Sequence, residues 1–217
     1  MPKGDEKPGG MAALGGAAAL SLGPVDASPA PPQAAPGNTI DIAWFEGFSG
    51  KHKQVFDLGS FDLSLDTPLR QAVTYLAAHQ MINKLEPPKD VNVIIGISHK
   101  SFPMNASDAL WEKYKLGEVW NIKDRATGKP AVRNIFVDGP APGAATVKAL
   151  QGRGIVFWQC NFALGAIAGE LADDTGGKAA DIRADLVAGL LPGVRMVPAH
   201  TWAIGHAQER GFTYEKL

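Results

Sequence analysis

Two short apolar runs constrain this chain more than any other feature. Val91-Asn-Val-Ile-Ile-Gly-Ile97 and Ile155-Val-Phe-Trp158 are β-branched or aromatic almost throughout. Neither alternates polar with apolar in a clean period of two. Each therefore reads as a strand covered on both faces, the setting of a parallel sheet. The second run passes through Gln159 into Cys160, the one cysteine of the chain. Asn161 is a good N-cap residue, and Phe162, Ala163, Leu164, Ala166, Ile167, Ala168 and Leu171 follow at helical spacing. The cysteine is thus expected where a strand ends and a helix begins, the place where open α/β sheets bind ligands. The positive end of a helix dipole favours a thiolate at such a position.

The remaining segments repeat the alternation. Residues 53–58, between Gly50 and Gly59, predict a short strand. Asp66-Thr67-Pro68 predicts a helix start with proline at the first helical position, and Leu69, Val73, Leu76 and Ala77 continue it toward Pro87-Pro88. Asn105, with Asp108 three residues on, predicts another start, backed by Ala109, Leu110 and Tyr114. Residues 144–151 predict a helix ended by Gly152. Ile182, Leu186, Val187, Leu190 and Leu191 predict one closed by Pro192-Gly193. Residues 194–198 predict the last strand, and a final helix carries Trp202, Ala203, His206 and Ala207 to Gly211. Residues 39–45 alternate weakly and predict a short strand or edge segment.

Residues 116–143 lack a helical pattern. A turn over 124–130 between two extended pieces, 119–123 and 132–137, is predicted there, and a connection this long is usually functional or an assembly surface. The whole predicts a three-layer α/β/α architecture with a mostly parallel sheet, flavodoxin- or Rossmann-like, in one domain over 38–217.

Charge narrows the partners. With 21 basic and 22 acidic residues, and the basic ones scattered, no phosphate-backbone partner is indicated. A single cysteine excludes an internal disulfide and cysteine-rich zinc sites. No run approaches the roughly 18 apolar residues needed to span a bilayer. Residues 1–37 differ from the rest. Lys3 and Lys7 precede a small-residue apolar stretch over 11–22, and a Pro/Ala-rich stretch follows. This reads as an export signal, hence a periplasmic or otherwise exported protein, or as a disordered Ala/Pro tail on a cytoplasmic one.

If the strands are parallel, His99, Cys160 and His200 leave three of them at the same edge. A histidine near a thiol stabilises the thiolate or shuttles its proton, so these three are the candidate catalytic residues. Lys100, Asn161 and Thr201 flank them as candidate binding residues. The competing reading is a packed cysteine, since free cysteine behaves as a small hydrophobe. His52, His79 and His206 are expected on solvated faces, and Trp111, Trp120, Trp158 and Trp202 in the core or at an interface. No ligand pair has the tight spacing of a metal site, and no glycine-rich nucleotide fingerprint is present, so no metal and no cofactor is expected.

The hydrophobic run ending in Cys-x-x-Ala-Leu, preceded by a helix that stops at a glycine, resembles the DsrE/DsrF-like family of sulfur-relay proteins. Leu191-Pro-Gly-Val194, Val197-Pro198, Ala207-Gln208 and Gly211-Phe212 are similar to that family's ending, as are 91–97 and the His99 turn. Gly50-Lys-His-Lys-Gln-Val-Phe-Asp57, Trp111-Glu-Lys-Tyr-Lys-Leu-Gly117 and Gly128-Lys-Pro130 resemble an exported, DsrE-like branch known by its Tat-type signal. The likeness covers roughly residues 53–217, with 116–143 as an insertion. It implies a three-layer fold, a homo-oligomer, and a persulfide on the cysteine matched by Cys160, exchanged with a sulfur donor or acceptor that is a protein or a small molecule. The alternative kept beside it is a non-catalytic oligomeric or small-ligand-binding module with a structural cysteine.

Overall fold

The computed structural model describes residues 40–63, 68–138 and 145–217. The expectations for residues 1–37, for the helix start at Asp66-Thr67, and for 139–144 lie outside those residues. Among the described residues five strands form one parallel sheet in the order β4-β3-β2-β1-β5. They are β1 (His52–Asp57), β2 (Val91–Ile97), β3 (Val156–Cys160), β4 (Arg195–Val197) and β5 (Thr213–Lys216). The apolar runs named above become β2 and β3, neighbours in the middle of the sheet, with Ile94 opposite Val156 and Gly96 opposite Trp158.

Side-chain alternation divides the sheet between two cores. Phe56, Val93, Ile95, Ile97 and Phe157 enter the larger one. Its other side is built by α1 (Leu69–Asn83), α2 (Asp108–Tyr114), α4 (Val147–Gln151), α5 (Asn161–Thr175) and α6 (Ala179–Ala188). Val55, Ile94, Trp158 and Val197 face the opposite way. There α7 (His200–Gln208), through Ala203 and Ala207, covers them together with Phe45 and Phe212. The chain is therefore a three-layer α/β/α protein with a thin layer on one side.

Connection handedness explains that imbalance. From β1 to β4 each crossover advances one strand in the same direction, so right-handed connections place their helices on one face. The β4–β5 connection runs back past β3, β2 and β1, so its helix, α7, has to lie on the other. Gly96 lets the layer close: a Cβ there would meet the Trp158 ring at 2.6 Å, so only glycine leaves room for the indole to lie across β2.

Several local expectations are corrected. Over the described residues 40–45 the weak alternation does not make a strand. Ala43–Gly47 is a 3-10 helix, started by Asp41, whose Oδ1 accepts from the Ala43 amide at 2.8 Å, and anchored by the buried Phe45. Asn105 does not cap a helix. It ends a 3-10 helix over Phe102–Asn105 and is fully buried, its Nδ2 donating to the Trp158 carbonyl and to Gln159 Oε1. Ser107 occupies the cap position of α2 instead.

Residues 116–138 hold a short helix, α3 (Leu116–Val119), and one antiparallel bridge, Lys123 to Pro130, rather than two extended pieces. Asn134 fastens this segment down. Its Nδ2 lies within hydrogen-bond distance of the carbonyls of Pro103, Met104 and Ala106, and its Oδ1 accepts from the Phe136 amide. Finally, β5 was absent from the sequence reading. Its four residues are all exposed and polar or aromatic, so no apolar run marks it, yet it pairs with β1 from Gln54–Thr213 to Asp57–Lys216.

Candidate functional site

The carboxyl ends of β3 and β4 mark a change of side. β3 runs into α5 on the face of the larger core, and β4 runs into α7 on the opposite face. Adjacent parallel strands whose connections diverge in this way form the ligand crevice of open α/β sheets. Cys160, Asn161 and Phe162 stand on one side of this switch point, and Pro198, His200 and Thr201 on the other. The two sides touch through the Phe162 amide, which donates to the Pro198 carbonyl at 3.4 Å.

Cys160 takes the role expected of Asn161. It is the N-cap of α5, and its Sγ accepts from the Ala163 amide at 3.4 Å. The sulfur thus receives one of the helix's unpaired N–H groups at the positive end of the dipole. The residue is 4% exposed and is a free thiol. Asn161, released from capping, accepts from Arg183 at 2.5 Å and ties α5 to α6.

The two histidines reach the same rim but are bonded elsewhere. His99 Nε2 is 2.9 Å from Glu170 Oε1 of α5, and both are solvent-exposed. His200 Nε2 is 2.6 Å from Asp57 Oδ1, and its Nδ1 accepts from the Trp158 indole at 3.1 Å. An indole N–H can only donate, so Nδ1 carries the lone pair and Nε2 carries the proton directed at Asp57. Both nitrogens are occupied. The contact to Cys160 Sγ is the Ala163 amide, and neither imidazole is hydrogen-bonded to it. Lys100 and Thr201 are exposed at this rim.

The Asp57–His200–Trp158 chain joins strands β1 and β3 through α7. Asp57 Oδ1 also accepts from the Gly59 amide at 2.7 Å, and Oδ2 accepts from Tyr214 of β5 at 2.8 Å. Burial raises the Asp57 carboxyl, but the bonds from His200, the Gly59 amide and Tyr214 outweigh it and bring it from an ordinary 3.8 to about 2. The Tyr214 hydroxyl moves the other way, raised by its bond to that carboxylate and by burial. Gly59 is required for the approach, since a Cβ would lie 2.5 Å from His200 Nε2.

Sequence reading missed Asp57, Trp158 and Tyr214 as members of a polar network. One signal was available: Asp57 is a charged residue at the carboxyl end of a strand, directly after the apolar pair Val55-Phe56, and is followed closely by Gly59. His206, expected in solvent, is half-buried and stacked on Trp202 with ring centroids 4.4 Å apart. Among the described residues no group of three or more His, Cys, Asp or Glu is placed to hold a metal ion. Nor is any helix among them long and apolar enough to cross a membrane.

No family model matches the chain, and no curated protein matches it. Among solved structures it is similar to a protein of unknown function, MTH1491 from Methanobacterium thermoautotrophicum. Identity is 16% over 76% of this chain and 99% of that one, with a TM-score of 0.39.

Proposed function

We propose that the β3/β4 switch point is a small-ligand site and that Cys160 is its reactive group, taking up sulfane sulfur in the manner of the DsrE/DsrF-like proteins the sequence resembles. The observation that carries this is the position of Sγ, which caps a 15-residue helix at the point where the two connections diverge. In the step, Sγ attacks the outer sulfur of a persulfide R–S–SH. A new S–S bond forms at Cys160, the donor's S–S bond breaks, and the R–S group leaves with the proton as R–SH. No net oxidation or reduction occurs. The N–H at Ala163 and the helix start place a hydrogen-bond donor and positive potential at the attacking sulfur.

The burial of Cys160 favours a second reading, in which the sulfur only caps α5 and the rim binds a small ligand without covalent chemistry. Incubation with polysulfide followed by cyanolysis separates the two. The first reading expects one cyanide-labile sulfur per chain, lost in Cys160→Ser, and alkylation of the native protein near neutral pH. Labelling only after denaturation, with no labile sulfur, rejects it. Export and a homo-oligomeric state belong to the same proposal, supported by the composition of residues 1–37 and by the family likeness.

A further inference from the structure

At the opposite rim of the sheet, His52 opens β1 and His79 lies in the last two turns of α1. Their ring centroids are 4.6 Å apart with planes inclined at 43°. We propose that this pair is a binding site for a divalent first-row transition metal such as Zn2+, with the two imidazoles as its protein ligands and solvent completing the shell.

Geometry supports the assignment. With metal–nitrogen bonds of about 2.0–2.1 Å, each ring centroid lies about 3.2 Å from the ion, and two cis imidazoles have centroids about 4.5–5.2 Å apart. The observed separation falls in that interval. The surroundings supply an outer partner as well. Asn83, one turn beyond His79 on α1, has its side-chain amide 3.0 Å from His79 Nδ1. A histidine bound to metal through Nε2 carries a proton on Nδ1 and donates it to a neighbouring oxygen. Turning the Asn83 amide over presents Oδ1 for that purpose at no change in position.

Tyr75 packs against the His79 ring at 4.6 Å and is itself held against Phe56, which limits the imidazole's freedom before any ion arrives.

The test is isothermal titration of the full chain with ZnCl2 at pH 7.5, read alongside the imidazole 15N resonances. One equivalent is expected to bind, shifting the His52 and His79 signals and not that of His99. His52→Gln and His79→Gln should each weaken binding by at least about tenfold, and His99→Gln should leave it unchanged. Asn83→Leu should keep the stoichiometry and weaken binding severalfold. Cu2+ should bind more tightly than Zn2+. Absence of binding, binding that survives both histidine substitutions, or a stoichiometry lost on Cys160→Ser instead would each overturn the proposal.

Discussion

At Asp57 burial and hydrogen bonding act in opposite directions, and hydrogen bonding wins. Three donors converge on one carboxylate that is mostly withdrawn from water, and its proton affinity falls to about 2. A carboxyl depressed on folding stabilises the native state above its unfolded value near 3.8, and this contribution is lost as pH falls through about 2. Urea unfolding followed from pH 5 to pH 2 should therefore show native stability dropping across this window, with a smaller drop in Asp57→Asn. At neutral pH the same substitution should cost about 2–3 kcal/mol, because His200 and Tyr214 lose a charged acceptor. Equal slopes in the acid range for the two proteins would show that the carboxylate is not the group responsible.

Among the elements, those with an apolar run announced themselves and those held by polar anchors did not. β2 and β3 are legible because every side chain of β2 is buried and β3 carries Phe157 and Trp158 into separate cores. β5 is invisible because an edge strand needs no apolar run, only a partner, and β1 supplies it. The site was legible as far as topology reaches: His99, Cys160 and His200 do end at one rim. What each side chain bonds there was not legible, since it depends on Asp57, more than a hundred residues away from His200 in the sequence. The 116–138 segment makes the same point, because a single buried amide, Asn134, decides its path. Replacing it with alanine strands the carbonyls of Met104 and Ala106 and the amide of Phe136, while the Pro103 carbonyl keeps the Trp111 indole and the Ala106 amide. Asn134→Ala is expected to cost about 3 kcal/mol or more in urea unfolding, with native thiol labelling of Cys160 unchanged.

For the molecule as a whole, the two layers differ in depth. The larger core draws on α1 to α6, while the other face rests on α7 and the Ala43–Gly47 segment. The Glu46–Arg210 ion pair, at 2.6 Å, ties this cover together at the surface, where such a pair contributes little. Amide exchange should register the difference: protons of α7 should exchange through local opening, faster than those in the middle of α5, and identical rates would contradict it. The returning connection from β4 has one more effect. Gln54 lies beside Thr213, 159 positions further along the chain, so the outer neighbour of the first strand is the last of the five strands to be synthesised. Closing so large a ring is slow, and until it closes β1 shows a bare row of backbone donors and acceptors. During that interval the nascent protein carries an adhesive margin, and its yield at high concentration will depend on how quickly the C-terminal strand arrives to seal it.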